Sequence, residues 1–66
     1  MTRDDVLLAL LTYGKPITAH DLAAKMQKSA QQVGNVLETL YNQGKIERRF
    51  LVGYMRRYEY MAKDKT

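Results

Sequence analysis

Residues 29–44 read SAQQVGNVLETLYNQG and run on into KIERRF at 45–50. Val33, Val36, Leu37 and Leu40 fall at i, i+3, i+4 and i+7, the spacing of one helix face. Ser29 followed by Gln32 makes a capping box ahead of that face, and Gly44 supplies a stop behind it. The pattern predicts a helix over 30–43. Its outer side carries the amides Gln31, Gln32 and Asn35 where a surface helix ordinarily carries charges, and arginines follow directly after it.

The residues upstream read as two more helices. Thr2 with Asp5 fits a capping box and predicts a helix over 3–13, ended by Gly14. Its apolar residues Val6, Leu7, Leu8, Leu10 and Leu11 wrap widely, as expected of a helix packed against two others. Lys15, Pro16 and Ile17 form a short extended link, because proline fixes its own φ and disfavours helix just before it. Thr18 with Asp21 repeats the capping box and predicts a helix over 19–27, with Leu22, Ala23 and Met26 inward.

Past Gly44 the period changes. Two runs rich in aromatic and β-favouring residues flank Gly53, which predicts a β-hairpin over about 46–61. Ile46, Tyr58 and Tyr60 are the candidates to cover the core and should share a face. That requires an odd number of loop residues and favours a three-residue loop at Val52, Gly53 and Tyr54, with Ile46 opposite Tyr58 or Tyr60. One face then carries Ile46, Arg48, Phe50, Arg56, Tyr58 and Tyr60. The other carries Glu47, Arg49, Leu51, Met55, Arg57, Glu59 and Met61. With arginine on both faces, the distal half of this hairpin has no core to cover and should stand away from the body.

Sixty-six residues make one domain, 1–66, with a small core. The net charge is +4, and residues 45–57 account for all of it through Lys45, Arg48, Arg49, Arg56 and Arg57 against Glu47. A basic stretch so concentrated favours a polyanionic partner; the plainer alternative is a solvated hairpin. Cysteine is absent, which excludes disulfides and Cys-containing zinc sites. The apolar run at 6–11 is too short for a signal sequence or a membrane span, so a soluble, cytoplasmic protein is expected. The single serine and three of the aspartates, Asp4, Asp5 and Asp21, serve helix starts, the one histidine has no second ligand beside it, and no glycine-rich phosphate loop occurs. The expectation is a non-enzyme without metal or cofactor.

Three helices followed by a two-stranded hairpin is an α+β arrangement that resembles the winged helix-turn-helix family. GKPITAHDLAAKM at 14–26 is similar to that family's passage from the first helix into the second. SAQQVGNVLETLYNQGKIERR at 29–49 resembles its third helix, with the Leu-x-x-x-Gly-x-Ile-x-Arg ending of the MarR-like group and of small FaeA-like pilus-operon regulators. The resemblance covers residues 3–62. It implies a bacterial or phage transcriptional regulator that binds double-stranded DNA in a sequence-specific manner.

The third helix would enter the major groove, and the hairpin wing would lie on the backbone or in the minor groove. The resemblance puts Ser29, Gln31, Gln32 and Asn35 on the groove side, with Glu38 and Thr39 further along. Amides suit that place, since Asn and Gln pair bidentately with adenine N6 and N7. Base reading is thus expected of Gln31, Gln32, Asn35 and Thr39, and backbone contact of Lys28, Ser29, Lys45, Arg48, Arg49, Arg56 and Arg57. Lys25 is a further candidate for phosphate.

Two features run against this: the third helix holds no Arg or Lys, and Glu38 is unfavourable near phosphate. The plain alternative for the amides is an ordinary polar face. The alternative function is a protein-interaction module that uses the apolar wing residues Phe50, Leu51, Val52, Tyr54 and Met55. The left-handed nucleic-acid-binding branch fits poorly, because Gly34 and Glu38 stand where it has Asn and Tyr. With no segment spare for a dimerisation helix, a monomer is expected in free solution. That leaves room for a protein co-regulator and for several copies side by side on DNA.

Overall fold

Side chains at the starts of the second and third helices, and backbone amides at the ends of all three, satisfy groups that helical hydrogen bonding leaves over. In the computed structural model, which describes residues 3–51 and 57–63, the order is α1 (Arg3–Tyr13), β1 (Ile17–Thr18), α2 (Ala19–Met26), α3 (Ala30–Asn42), β2 (Ile46–Leu51) and β3 (Arg57–Ala62). Thr18 Oγ1 accepts from the Asp21 amide at 3.2 Å, and Ser29 Oγ accepts from the Gln32 amide at 3.0 Å. The second and third capping boxes are therefore real N-caps. Thr2, the expected cap of α1, lies outside the described residues.

α1 ends at Gly14, whose φ of 74° lets its amide reach back to the Leu10 carbonyl at 3.0 Å. α3 ends at Asn42, one residue short of expectation. Gly44 at φ 75° then donates to the Tyr41 carbonyl while Lys45 donates to Leu40. α2 stops at Met26 rather than 27. Gln27, at φ 58°, takes the left-handed position usually given to glycine, and the Gln27 and Lys28 amides close on Ala24 and Ala23.

The hairpin is not alone, which corrects the two-stranded expectation. Ile17 and Thr18 pair antiparallel with Tyr60 and Glu59, making a three-stranded sheet of order β1-β3-β2. The extended link after Pro16 thus becomes an edge strand, and β3 lies in the middle. The β2–β3 register is also corrected: Ile46 faces Ala62, Arg48 faces Tyr60, Phe50 faces Tyr58 and Leu51 faces Arg57. This is two positions beyond the expected pairing with Tyr60. The shift preserves parity, so the described residues of the two sheet faces fall on the faces assigned to them. The expected loop at Val52, Gly53 and Tyr54 lies outside the described residues, as do Met55 and Arg56.

α1 contacts β3, α3 contacts β2, and the two helices contact each other. Between them lies the core of Val6, Leu10, Leu22, Val33, Leu37, Leu40, Ile46 and Tyr60, extended by Ile17 and Ala23. Burial falls off along the sheet: Tyr60 is 7% exposed but Tyr58 38%, and Ile46 2% but Phe50 47%. Tyr58 was expected in the core and is not there, because the helices cover only the Ile46 end of that face. α1 also departs from expectation. Among the described residues its neighbours lie on one side, so it buries one stripe, Val6 and Leu10, which leaves Leu8 63% and Leu11 48% exposed. No helix among the described residues is long and apolar enough to cross a membrane.

Candidate nucleic-acid interface

The solvent side of α3 follows from its buried side. With Val33, Leu37 and Leu40 inward, helical geometry turns Gln31, Gln32, Asn35, Glu38 and Thr39 outward, and all five are exposed. No side-chain hydrogen bond ties Gln31, Gln32 or Asn35 to another described residue. Their amides therefore keep both donors and acceptors open. Thr39 differs: its Oγ1 donates to the Asn35 carbonyl at 3.0 Å. What Thr39 offers outward is a methyl group and oxygen lone pairs, a narrower role than the sequence suggested. Ser29 accepts at the N-cap and so retains its own hydroxyl proton for a ligand.

The cations expected on the backbone divide into distinct environments. Arg48 lies between two rings, its guanidinium carbon 4.1 Å from the centroid of Tyr41 on α3 and 4.1 Å from that of Tyr58 on β3. Phe50 meets Tyr58 edge-on at 5.4 Å, and Tyr58 leans on Tyr60 at 6.4 Å. Partial desolvation acts to lower the Arg48 pKa, but a side-chain hydrogen bond with Tyr60 and the neighbouring phenols outweigh it and raise the value. Arg48 thus fastens the hairpin to α3. It lies on the Tyr58 side that the strand alternation had given it.

Arg49 and Glu59 face each other across the strands and close a 2.7 Å ion pair with side-chain exposures of 63% and 23%. Arg57 is exposed and lines a surface recess with Thr18, His20 and Tyr58. Lys28 and Lys45 are exposed side chains whose own amides close the ends of α2 and α3, so their backbones are fixed while their ammonium groups reach solvent. Lys25 instead sits over the Tyr13 ring of α1 at 5.0 Å. Arg56 lies outside the described residues.

Three of the four expected base readers thus share one open helix face. Of the expected backbone cations, Arg48, Arg49 and Arg57 are engaged with neighbours. The sequence reading missed the stack of Tyr41, Arg48, Tyr58 and Phe50. Half of its signal was present in the alternation 46, 48, 50 against 58, 60. Tyr41 had no such marker, since it joins the stack only through the packing of α3 on β2. Neither a protein-family model nor a curated relative matches the chain.

Proposed function

We propose that the chain is a winged helix-turn-helix protein that binds double-stranded DNA sequence-specifically, as a small bacterial or phage transcriptional regulator in the cytoplasm. α3 would lie in the major groove, and the β2–β3 wing would lie along the backbone or in the adjacent minor groove. The observation that carries this reading is the row of Gln31, Gln32 and Asn35, exposed and without side-chain partners among the described residues, on the helix that directly precedes the segment holding the molecule's entire net charge. Amides can discriminate adenine by paired hydrogen bonds, while Lys28, Ser29, Lys45 and Arg57 meet phosphates that carry no sequence information. The reading uses no catalytic group, metal or cofactor.

A second reading rests on its own observation. Phe50 and Tyr58 leave 47% and 38% of their surface exposed on one sheet face, and exposed apolar surface of that kind suits a protein partner.

Titration with duplex DNA, followed by backbone amide shifts, separates the two. Perturbations at 29–39 and along the hairpin support DNA binding. Asn35→Ala should then lose about 1–3 kcal/mol of discrimination between a selected site and random duplex, with non-specific binding preserved. The absence of shifts at low salt would put the protein-interaction reading ahead.

A further inference from the structure

α1 is 11 residues long and buries one side, leaving Leu8 63% and Leu11 48% exposed near its midpoint on the other. These two leucines lie three apart, so they are neighbours on one outward stripe. Asp4, four residues before Leu8, begins that stripe, and Lys15 follows four residues after Leu11, beyond the Gly14 cap. Leu11 and Lys15 line the same surface recess, which places the lysine beside the leucine at the C-terminal end of the stripe. The order is thus acid, leucine, leucine, base. Such a row is complementary to itself when reversed.

We propose that this face of α1 docks a second copy of the chain as an antiparallel, two-fold helix pair. Leu8 of each copy packs against Leu11 of the other, and Asp4 of each faces Lys15 of the other. A two-fold interface requires each contact to occur twice, and this row supplies both. Antiparallel packing also sets the positive end of one helix dipole beside the negative end of the other. The +4 charge does not oppose the pairing, because residues 45–57 carry all of it and the remainder of the chain is neutral. A pair of such short helices buries less than the roughly 1,000 Å² of a stable interface, so the association is weak and depends on concentration. The monomer expected from the sequence assumed that a dimer needs a further helix; here α1 itself is the helix. The inference rests on α1 and Lys15 just beyond it, and does not depend on the DNA reading.

The test is sedimentation equilibrium from about 10 µM to about 1 mM, the range where weak association changes the mean mass. The unaltered protein should climb from the mass of one chain toward that of two. Leu8→Gln with Leu11→Gln should stay at one chain while keeping its melting temperature, since both positions are exposed. Asp4→Lys and Lys15→Glu should each weaken association by about threefold to tenfold. An equimolar mixture of those two variants should restore it, because each then supplies the charge that the other lacks. A single-chain mass throughout for the unaltered protein would overturn the proposal. So would association that survives the leucine changes, as expected if Phe50 and Tyr58 formed the contact instead, or a mixture that fails to recover.

Discussion

Arg48 shows how one side chain can be spent on the fold rather than on a ligand. Its planar guanidinium lies 4.1 Å from the ring centroids of both Tyr41 and Tyr58, so both of its faces are taken. Cation–π contacts at exposed sites contribute about 0.5–1 kcal/mol each. Arg48→Gln should therefore lower stability, read as an earlier midpoint in a thermal or urea melt. Arg48→Lys should recover only part of it, since an ammonium cannot stack across two rings. A full phosphate contact changes the slope of log K against log salt by about 0.9; Arg48→Gln should change it by much less. An unchanged melt with a full change of slope would show that Arg48 is a phosphate ligand after all. Glu59 makes the opposite case. It holds Arg49 at 2.7 Å, so Glu59→Gln releases a cation. The salt slope for duplex DNA should steepen by up to about 0.9, with a stability change under about 1 kcal/mol, as is usual for an exposed pair. An unaltered slope would mean that Arg49 does not approach phosphate. That Arg48 shares a face with Tyr58 was legible from alternation alone. Its second ring was not, because helix-to-sheet packing leaves no mark in local spacing.

The starts of α2 and α3 were readable because each relies on a side chain close in sequence. Thr18 with Asp21 and Ser29 with Gln32 are such pairs, and both bond as spaced. The stops were readable only where glycine stands. Gly14 and Gly44 mark two of them, but Gln27 adopts the same left-handed turn without the residue that would announce it. β1 is two residues long and was missed as a strand because its hydrogen-bonding partner lies some forty positions away, at Glu59 and Tyr60. Gly34, inside α3, poses a further question at this scale. A β-carbon there would meet Ala19 Cβ at 3.9 Å, an ordinary contact, so packing does not demand glycine. Gly34→Ala should stabilise the fold by about 0.5–1 kcal/mol. For a domain of this size that raises the melting temperature by about 2–8 °C. A melt at or below the original temperature would contradict this. If the variant were more stable yet bound duplex DNA less well, Gly34 would be reserved for close approach of the ligand.

For the molecule as a whole, two opposed facts follow from its size. A chain of 66 residues has about 3–10 kcal/mol of stability, and its core rests on about ten side chains. Leu37 is fully buried between α3 and its neighbours, so Leu37→Ala should cost about 2–5 kcal/mol and leave a measurable unfolded fraction by circular dichroism at 25 °C. Retention of the original melting temperature would show that the core repacks more freely than this structure suggests. The charge, by contrast, adds little to the core. It is gathered in residues 45–57, beyond the reach of most buried side chains.

Where that basic segment joins the body, Lys63 Nζ donates to the Gly44 carbonyl at 2.9 Å, tying the end of the last strand to the turn that closes α3. Together with Ile46 beneath it, this makes the base of the hairpin a fixed fulcrum. From Ile46 to Leu51 the strand reaches about 17 Å outward. The hairpin is therefore a lever arm clamped at one end, with the Arg48 stack as a brace partway along. A sideways pull at its outer end becomes a torque about Gly44, and the first structure to feel that torque is the last turn of α3. Cutting the brace alone would lengthen the free arm; cutting the clamp would move the pivot itself.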